Sequence, residues 1–258
     1  MPELLFWPVL LAYGEAAVAY AGVLKRPEVA TRLAIWGVRI GWLVQTALLV
    51  AQAADAEGFP WSSWAGLLNL FVWLVVGAYL IWGCSPKYRL LGLAVMPVAV
   101  ALFALAGAGG GAGGSSATGS TAFLALHVGL VLAGFAGFTL SAALSGLYLW
   151  EEQRLKRRAS GLLRLGAPSL ATLDVLAGRT ALGGLVVFTA GLLAGFARLG
   201  GAGFDAAMAV AVAAWLVYAA FLLLRYEGGW RGRRSAFLAL GSFVVVLALA
   251  LDLPVHLS

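Results

Sequence analysis

The chain has 258 residues, of which 62% are hydrophobic and only 11% are charged. Soluble domains carry about 25% charged residues, so the composition excludes a water-soluble globular protein. It also excludes a disordered chain, because disorder needs low hydrophobicity and high charge. The single cysteine excludes a disulfide framework and any metal or iron–sulfur site built from several cysteines. A membrane span needs about 20 apolar residues, and the chain has room for eight with short loops.

Eight apolar runs follow one another along the chain. They cover about residues 4–24, 30–52, 63–83, 89–106, 121–150, 179–198, 205–225 and 235–253. A glycine-rich loop, 107–120, separates the fourth run from the fifth, and a basic connection, 151–178, joins the fifth to the sixth. No run alternates strictly between polar and apolar residues, so the pattern predicts helices and not outer-membrane strands. We predict an all-α fold: a polytopic membrane bundle of eight transmembrane helices that forms one domain, 1–258.

The basic residues predict the orientation of this bundle. All except Arg39 and Arg198 lie in the connections between runs one and two, three and four, five and six, and seven and eight. Since cytoplasmic loops are enriched in Lys and Arg, we predict that these four connections face the cytoplasm and that both termini lie outside. The net charge of +6 then reflects orientation in a bacterial inner (plasma) membrane that the chain crosses many times. We expect the lipid bilayer as a partner, and no nucleic acid.

The connection 151–178 contains the sequence LLRLGAPSLATLDVL. A short amphipathic helix on the anionic cytoplasmic leaflet would account for its basic and apolar residues. Docking of a cytoplasmic partner protein is the alternative interpretation.

Few polar residues remain that could form a functional site. The two histidines both fall toward the outer face: His127 lies about two turns into the fifth run, and His256 lies just beyond the eighth. They are either two axial ligands of a haem iron, or a buried residue with a local hydrogen bond and a terminal residue without a role. Asp205 opens the seventh run, where it either caps the helix or borders a site. Trp61 and Trp64 form either an outer aromatic shelf or part of the interfacial tryptophan belt.

Two further charged residues, Glu15 and Arg39, fall near the middle of adjacent spans. Charges inside a membrane are costly and usually face a partner. We predict that they form an intramembrane ion pair, or that each binds Gln45 or a backbone carbonyl. A proton or ion path is the functional alternative.

Several segments resemble a known family. The sequence AWLVYAAFLLLRYEGGWRGRR (Ala214–Arg234) resembles the seventh-span signature of the haem-handling cytochrome c assembly family, which includes CcsA-, HemX- and YpjD-like proteins. In that family a W-x-x-Y core precedes a GWRG[KR]R cytoplasmic turn. PSLATLDVLAGR (Pro168–Arg179) resembles its P-x-L-x-x-LD loop, LHVGL around His127 its LHV segment, and GFPWSS its outer loop between spans two and three. The resemblance covers most of the chain and implies eight spans with both termini outside.

The resemblance also implies a cofactor site. Members hold haem at an external site, where two histidines lie under a tryptophan-rich WxWD segment. His127 matches the first of these histidines, and His256 falls where the second is found. Asp205 matches the aspartate of the WxWD segment, and Phe204 replaces the tryptophan before it. The implied site holds haem b, with both histidines as iron ligands and Asp205 and Phe204 beside the porphyrin. Trp61 or Trp64 would form a further side of the haem-binding pocket.

Two departures from the family concern a second, inner haem site. The assembly members have a histidine–threonine pair in span two, where this chain has Gln45 and Thr46. They have a histidine near the cytoplasmic end of span seven, where this chain has Leu223. Leucine cannot ligate iron and glutamine ligates it poorly, so the resemblance implies that the inner site is missing. The chain is therefore nearer to HemX- and YpjD-like members than to the full haem ligases.

We predict a membrane protein that holds or presents haem during cytochrome c maturation, together with assembly partners or the apocytochrome. It has no pair of redox cysteines and no large outer domain, so we expect no catalytic activity from this chain alone. One alternative is a non-catalytic HemX-like scaffold or regulator of tetrapyrrole synthesis without bound haem. Another is a small-solute transporter that uses Glu15 and Arg39, which predicts internal repeats and helices broken at mid-membrane.

Overall fold

The computed structural model describes residues 2–22, 27–56, 60–61, 63–83, 89–109, 121–157, 168–197 and 206–252. These residues form eight α-helices and contain no strand. The helices are α1 (Pro2–Gly22), α2 (Pro27–Asp55), α3 (Trp64–Gly83), α4 (Arg89–Ala108), α5 (Thr121–Lys156), α6 (Leu170–Phe196), α7 (Ala206–Tyr226) and α8 (Arg233–Asp252). Within the described residues, seven of them, α1 to α7, are long and apolar enough to cross a membrane. The protein is a polytopic helical membrane bundle, which confirms the predicted fold class.

Two helix boundaries differ from the predicted spans by more than three residues. Helix α5 has 36 residues, which makes it about 54 Å long, whereas the hydrocarbon core is about 30 Å thick. Its last turns, up to Lys156, therefore extend beyond the apolar span. Helix α6 begins at Leu170 because Ser169 caps it: the Ser169 hydroxyl accepts a hydrogen bond from the Thr172 amide at 3.2 Å. Residues 170–178 are thus the first turns of α6, and the prediction of a separate surface helix is wrong there. Residues 158–167 lie outside the described part.

The chain divides into two compact units. The first consists of residues 1–125 and 160–168, and the second of residues 126–159 and 169–258. In the first unit, α1 packs against α2 and α4, and α3 packs against α4 and α2. Its buried side chains include Tyr13, Tyr20, Tyr79 and Phe103. The hydroxyls of Tyr20 and Tyr79 hydrogen-bond at 2.7 Å, which satisfies two polar groups in an otherwise apolar core.

The core of the second unit is aromatic. Phe138 of α5 stacks on Tyr218 of α7, with ring centroids 3.5 Å apart and planes 7° apart. Phe188 of α6 packs against Phe138 at a centroid distance of 5.6 Å. All three rings are fully buried. Close approach of α5 and α6 is possible because Gly137 faces Gly184: a Cβ built on Gly137 would lie 2.8 Å from the Cα of Gly184.

The same two hydrogen bonds occur in both units, at a threonine of the second helix and a tryptophan of the third. In the first, the indole of Trp73 on α3 donates to the Thr46 hydroxyl on α2 at 2.8 Å. In the second, the indole of Trp215 on α7 donates to the Thr189 hydroxyl on α6, also at 2.8 Å. Each threonine donates in turn to the carbonyl four residues earlier in its own helix, at 2.8 and 2.7 Å. Each unit thus joins its second and third helices through the same threonine–indole bond.

The sequences around these bonds correspond as well. Residues 41–51 read GWLVQTALLVA and residues 184–194 read GLVVFTAGLLA, while residues 73–80 read WLVVGAYL and residues 215–222 read WLVYAAFL. The chain therefore contains a repeated arrangement of helices. Repeats are one of the two features that the transporter alternative predicts. The other, a helix broken at mid-membrane, is not found in the described residues, where α2 and α6 run without interruption from Pro27 to Asp55 and from Leu170 to Phe196.

Candidate functional site

His127 lies in the second turn of α5 and packs against α6. Its side chain is partly buried, and its Nδ1 lies 2.8 Å from the carbonyl oxygen of Gly191. A carbonyl can only accept, so Nδ1 carries the proton and Nε2 of the neutral ring is left as an acceptor. Gly195, one turn further along α6, leaves room for the ring, since a Cβ there would come within 2.8 Å of the His127 Cε1. The backbone of α6 thus fixes both the tautomer and the position of this imidazole.

Of the other residues predicted to form the haem site, the structure describes only the two tryptophans. Phe204, Asp205 and His256 lie outside the described residues. Trp64 begins α3 in the first unit and its side chain is 56% exposed, while Trp61 lies three residues earlier and is partly buried. The structure thus describes one of the two predicted iron ligands, and the pairing of the two histidines stays a prediction.

Gln45 and Thr46 stand where assembly members have histidine and threonine; Gln45 belongs to a buried polar cluster of the first unit, whereas the partly buried Thr46 binds the Trp42 carbonyl and the Trp73 indole. Gln45 is fully buried; its Oε1 accepts from the Tyr13 hydroxyl at 2.7 Å, and its Nε2 donates to the Asn69 side chain at 2.8 Å. Asn69 donates in turn to Gln52 at 3.2 Å. The Gln45 amide is therefore occupied by protein partners on both its oxygen and its nitrogen. Leu223 is 62% exposed.

The ion pair predicted between Glu15 and Arg39 does not form. Both side chains are exposed, and the ion pairs among the described residues do not include them. The Arg39 guanidinium instead lies over the Trp36 ring, 5.5 Å from its centroid. Gln45, the predicted alternative partner, is occupied by Tyr13 and Asn69. The predicted ion pair does not form because adjacency of spans in the sequence does not fix which helix faces meet; binding of either side chain to a backbone carbonyl stays a prediction.

A buried ion pair that the sequence analysis missed joins α6 to α7. The Arg225 guanidinium binds the Asp174 carboxylate through two bonds, Nη1 to Oδ1 at 2.9 Å and Nη2 to Oδ2 at 3.0 Å. Nη2 also donates to the Asp174 carbonyl at 2.6 Å, and Nη1 to the Ser235 hydroxyl of α8. The two side chains are only 6% and 12% exposed. Gly178 on α6 makes this possible, since a Cβ there would lie 2.2 Å from the Arg225 Nε.

The same carboxylate holds the turn between α7 and α8. Oδ1 of Asp174 accepts from the Gly232 amide at 3.0 Å. Gly229 and Gly232 have φ values of 67° and 65°, in the left-handed region that favours glycine. A Cβ on Gly232 would lie 3.0 Å from the Tyr148 hydroxyl of α5. The PSLATLD and GWRGRR segments, which are far apart in the sequence, therefore meet at one carboxylate.

Comparison with known proteins gives the family. A sequence profile described as Cytochrome C assembly protein matches residues 61–251, which is most of the chain. The chain belongs to the cytochrome c assembly protein family. It is accordingly a multi-pass membrane protein of cytochrome c maturation, in a family that handles haem. This confirms the family and the general function that the sequence predicted.

Two relatives with similar sequences carry the same name. A "Cytochrome c biogenesis protein CcsA" of Prochlorococcus marinus (strain MIT 9303) is 28% identical over 245 residues, which cover 81% of this chain and 77% of the relative. A protein of the same name from Synechococcus sp. (strain RCC307) is 27% identical over 295 residues, which cover 95% and 92% of the two chains. No solved structure was found to match the chain.

Proposed function

We propose that this cytochrome c assembly protein holds b-type haem at the outer face of a bacterial inner membrane and presents it to the apocytochrome or to assembly partners. His127 and His256 are the proposed axial ligands, and Asp205 and Phe204 the proposed neighbours of the porphyrin. The observation that carries this proposal is the hydrogen bond from the His127 Nδ1 to the Gly191 carbonyl at 2.8 Å.

This hydrogen bond is what an iron-ligating histidine needs. Ligating histidines almost always donate their second ring N–H to a carbonyl, carboxylate or water, which fixes the tautomer and raises the basicity of the ligating nitrogen. In His127 the nitrogen left with a lone pair is Nε2, which can ligate iron through its neutral ring. A bound haem would supply the iron and porphyrin that are to be transferred. The protein's own part is to orient the imidazole, through the Gly191 carbonyl and the space left at Gly195.

The experiment is an absorption spectrum of the full chain, purified in mild detergent after haem supply. We expect a low-spin Soret band in the wild type, and its loss in both His127→Ala and His256→Ala. The variant His127→Gln is the matched control, because its amide can still donate to Gly191 but ligates iron poorly. It should be monodisperse and lack the low-spin band. Added imidazole should restore the band in His127→Ala.

Other outcomes would count against the proposal. A colourless wild-type protein that cannot be reconstituted with haem would contradict it and favour the scaffold or regulator alternative. If His127→Gln retained a normal low-spin spectrum, His127 would be a structural residue with a local hydrogen bond. The imidazole rescue separates loss of a ligand from loss of the fold, since an unfolded variant cannot be rescued.

A further inference from the structure

The turn that joins α7 to α8 exposes a group of basic and aromatic side chains. Residues 230–234 read WRGRR, and we call them the arginine turn. Trp230 is 38% exposed, and Arg231, Arg233 and Arg234 are exposed as well. Tyr226, at the end of α7, is 49% exposed. The turn therefore presents three guanidinium groups beside two aromatic rings.

This turn is anchored and not a loose connection. The Gly232 amide, in its middle, donates to the buried Asp174 carboxylate. The helices on both sides of the turn are linked as well. Arg225 of α7 binds the Asp174 carboxylate and also donates to the Ser235 hydroxyl of α8. Because the backbone of the turn is already ordered, it loses little further conformational entropy when a ligand binds. Preorganised groups bind more tightly for that reason.

The charges of the arginine turn are mostly not neutralised within the protein. Arg233 Nε lies 4.0 Å from Glu152, whose carboxylate already binds Lys156 at 2.7 Å. Arg231 and Arg234 take part in no ion pair in the described parts of the chain. Asp174 is paired with Arg225, and the exposed Glu227, three residues before Trp230, is outnumbered by the three arginines. The turn thus keeps a net positive charge that an external anion can compensate.

The position of the turn indicates which kind of anion binds to it. Helix α7 is long and apolar enough to span the membrane and ends at Tyr226, four residues before Trp230, so the turn lies at the bilayer surface. Anionic headgroups are concentrated there, on the side to which the basic connections are assigned. Indole rings favour the headgroup level, and guanidinium groups bind phosphate oxygens with two parallel bonds.

We propose that the arginine turn is a binding site for the phosphate of an anionic phospholipid in the leaflet that the basic connections face. Arg231 and Arg234 bind the phosphate, Arg233 adds charge, and Trp230 packs against the glycerol and upper acyl region. This site is separate from the proposed haem site at His127 and does not depend on it.

The test is lipid-dependent thermal stabilisation of the full chain in detergent. Phosphatidylglycerol is titrated, with phosphatidylcholine of the same acyl chains and inorganic phosphate as comparisons. We expect stabilisation by phosphatidylglycerol alone. A hydrogen bond to a charged group contributes about 1.5–3 kcal/mol, so losing both guanidinium–phosphate contacts in Arg231→Gln with Arg234→Gln should weaken the apparent affinity by at least about 100-fold.

The matched control removes the same amount of charge from the neighbouring helix end. Arg154→Gln with Arg157→Gln changes one basic residue in the last turn of α5, which lies over the Trp150 ring, and the basic residue that follows the helix; it should leave the affinity within about threefold. The proposal is overturned if both double variants lose affinity equally, because binding would then be diffuse. It is also overturned if phosphatidylcholine or inorganic phosphate stabilises as well as phosphatidylglycerol. If the Arg231 and Arg234 variant impairs cytochrome c maturation at unchanged lipid affinity, the turn binds a protein partner and not a lipid.

Discussion

Removing the Asp174 carboxylate should destabilise the second unit more than any surface change near it. The Asp174→Ala variant leaves the Arg225 guanidinium 6% exposed, without its two carboxylate bonds of 2.9 and 3.0 Å. It also leaves the Gly232 amide without its acceptor. Breaking a buried ion pair by removing one partner costs about 3–5 kcal/mol, because the other charge stays buried and uncompensated. For a chain of this size, each kcal/mol lowers the Tm by about 2–4 °C, which gives a loss of about 6–20 °C.

The assay is the midpoint of thermal aggregation of the detergent-purified chain, followed by fluorescence-detected gel filtration. Glu152→Gln is the control, since Glu152 pairs with the 60%-exposed Lys156 at the same end of the unit and should cost at most about 1 kcal/mol. The double variant Asp174→Leu with Arg225→Met should recover much of the loss, because apolar side chains leave no buried charge. If the melting midpoint of Asp174→Ala lies within about 2 °C of that of Glu152→Gln, the Asp174–Arg225 ion pair does not stabilise the fold as a buried pair should, and the reasoning is refuted.

Two further predictions use matched variants within the chain. Gly178→Ala should lower the free energy of unfolding by about 1–3 kcal/mol, because its Cβ would lie 2.2 Å from the Arg225 Nε. The control Gly183→Ala should be neutral or stabilising, because a Cβ there would have nothing within 4 Å. Equal melting midpoints of the two variants would contradict this prediction. Thr46→Val and Thr189→Val should each cost about 1–3 kcal/mol, because each leaves the indole of the next helix without its acceptor at 2.8 Å. Markedly unequal losses would show that the two threonine–indole bonds are not equivalent.

The sequence predicted the helices well because hydropathy acts locally, and each apolar run must form its own hydrogen bonds inside a membrane. It failed where the outcome depended on which faces meet. The charge of Arg225 predicts a place in a basic connection, although its partner Asp174 lies 51 positions away in the chain. The adjacency of their spans predicts a pair between Glu15 and Arg39, yet both side chains are exposed. The signal for the missed pair was present in the two segments that resemble the family, PSLATLD and GWRGRR, but no local pattern shows that they touch.

Helix α6 connects the two polar sites of the second unit. Its residue Asp174 binds Arg225 at one end, and its residue Gly191 accepts from His127 toward the other. At a rise of 1.5 Å per residue these two positions are about 25 Å apart along the helix, close to the thickness of the hydrocarbon core of about 30 Å. The second unit therefore places its polar groups near the two membrane boundaries and fills the space between them with Phe138, Phe188 and Tyr218. A haem held at His127 would lie near one boundary, where a water-soluble apocytochrome can reach it, while the arginine turn lies near the other.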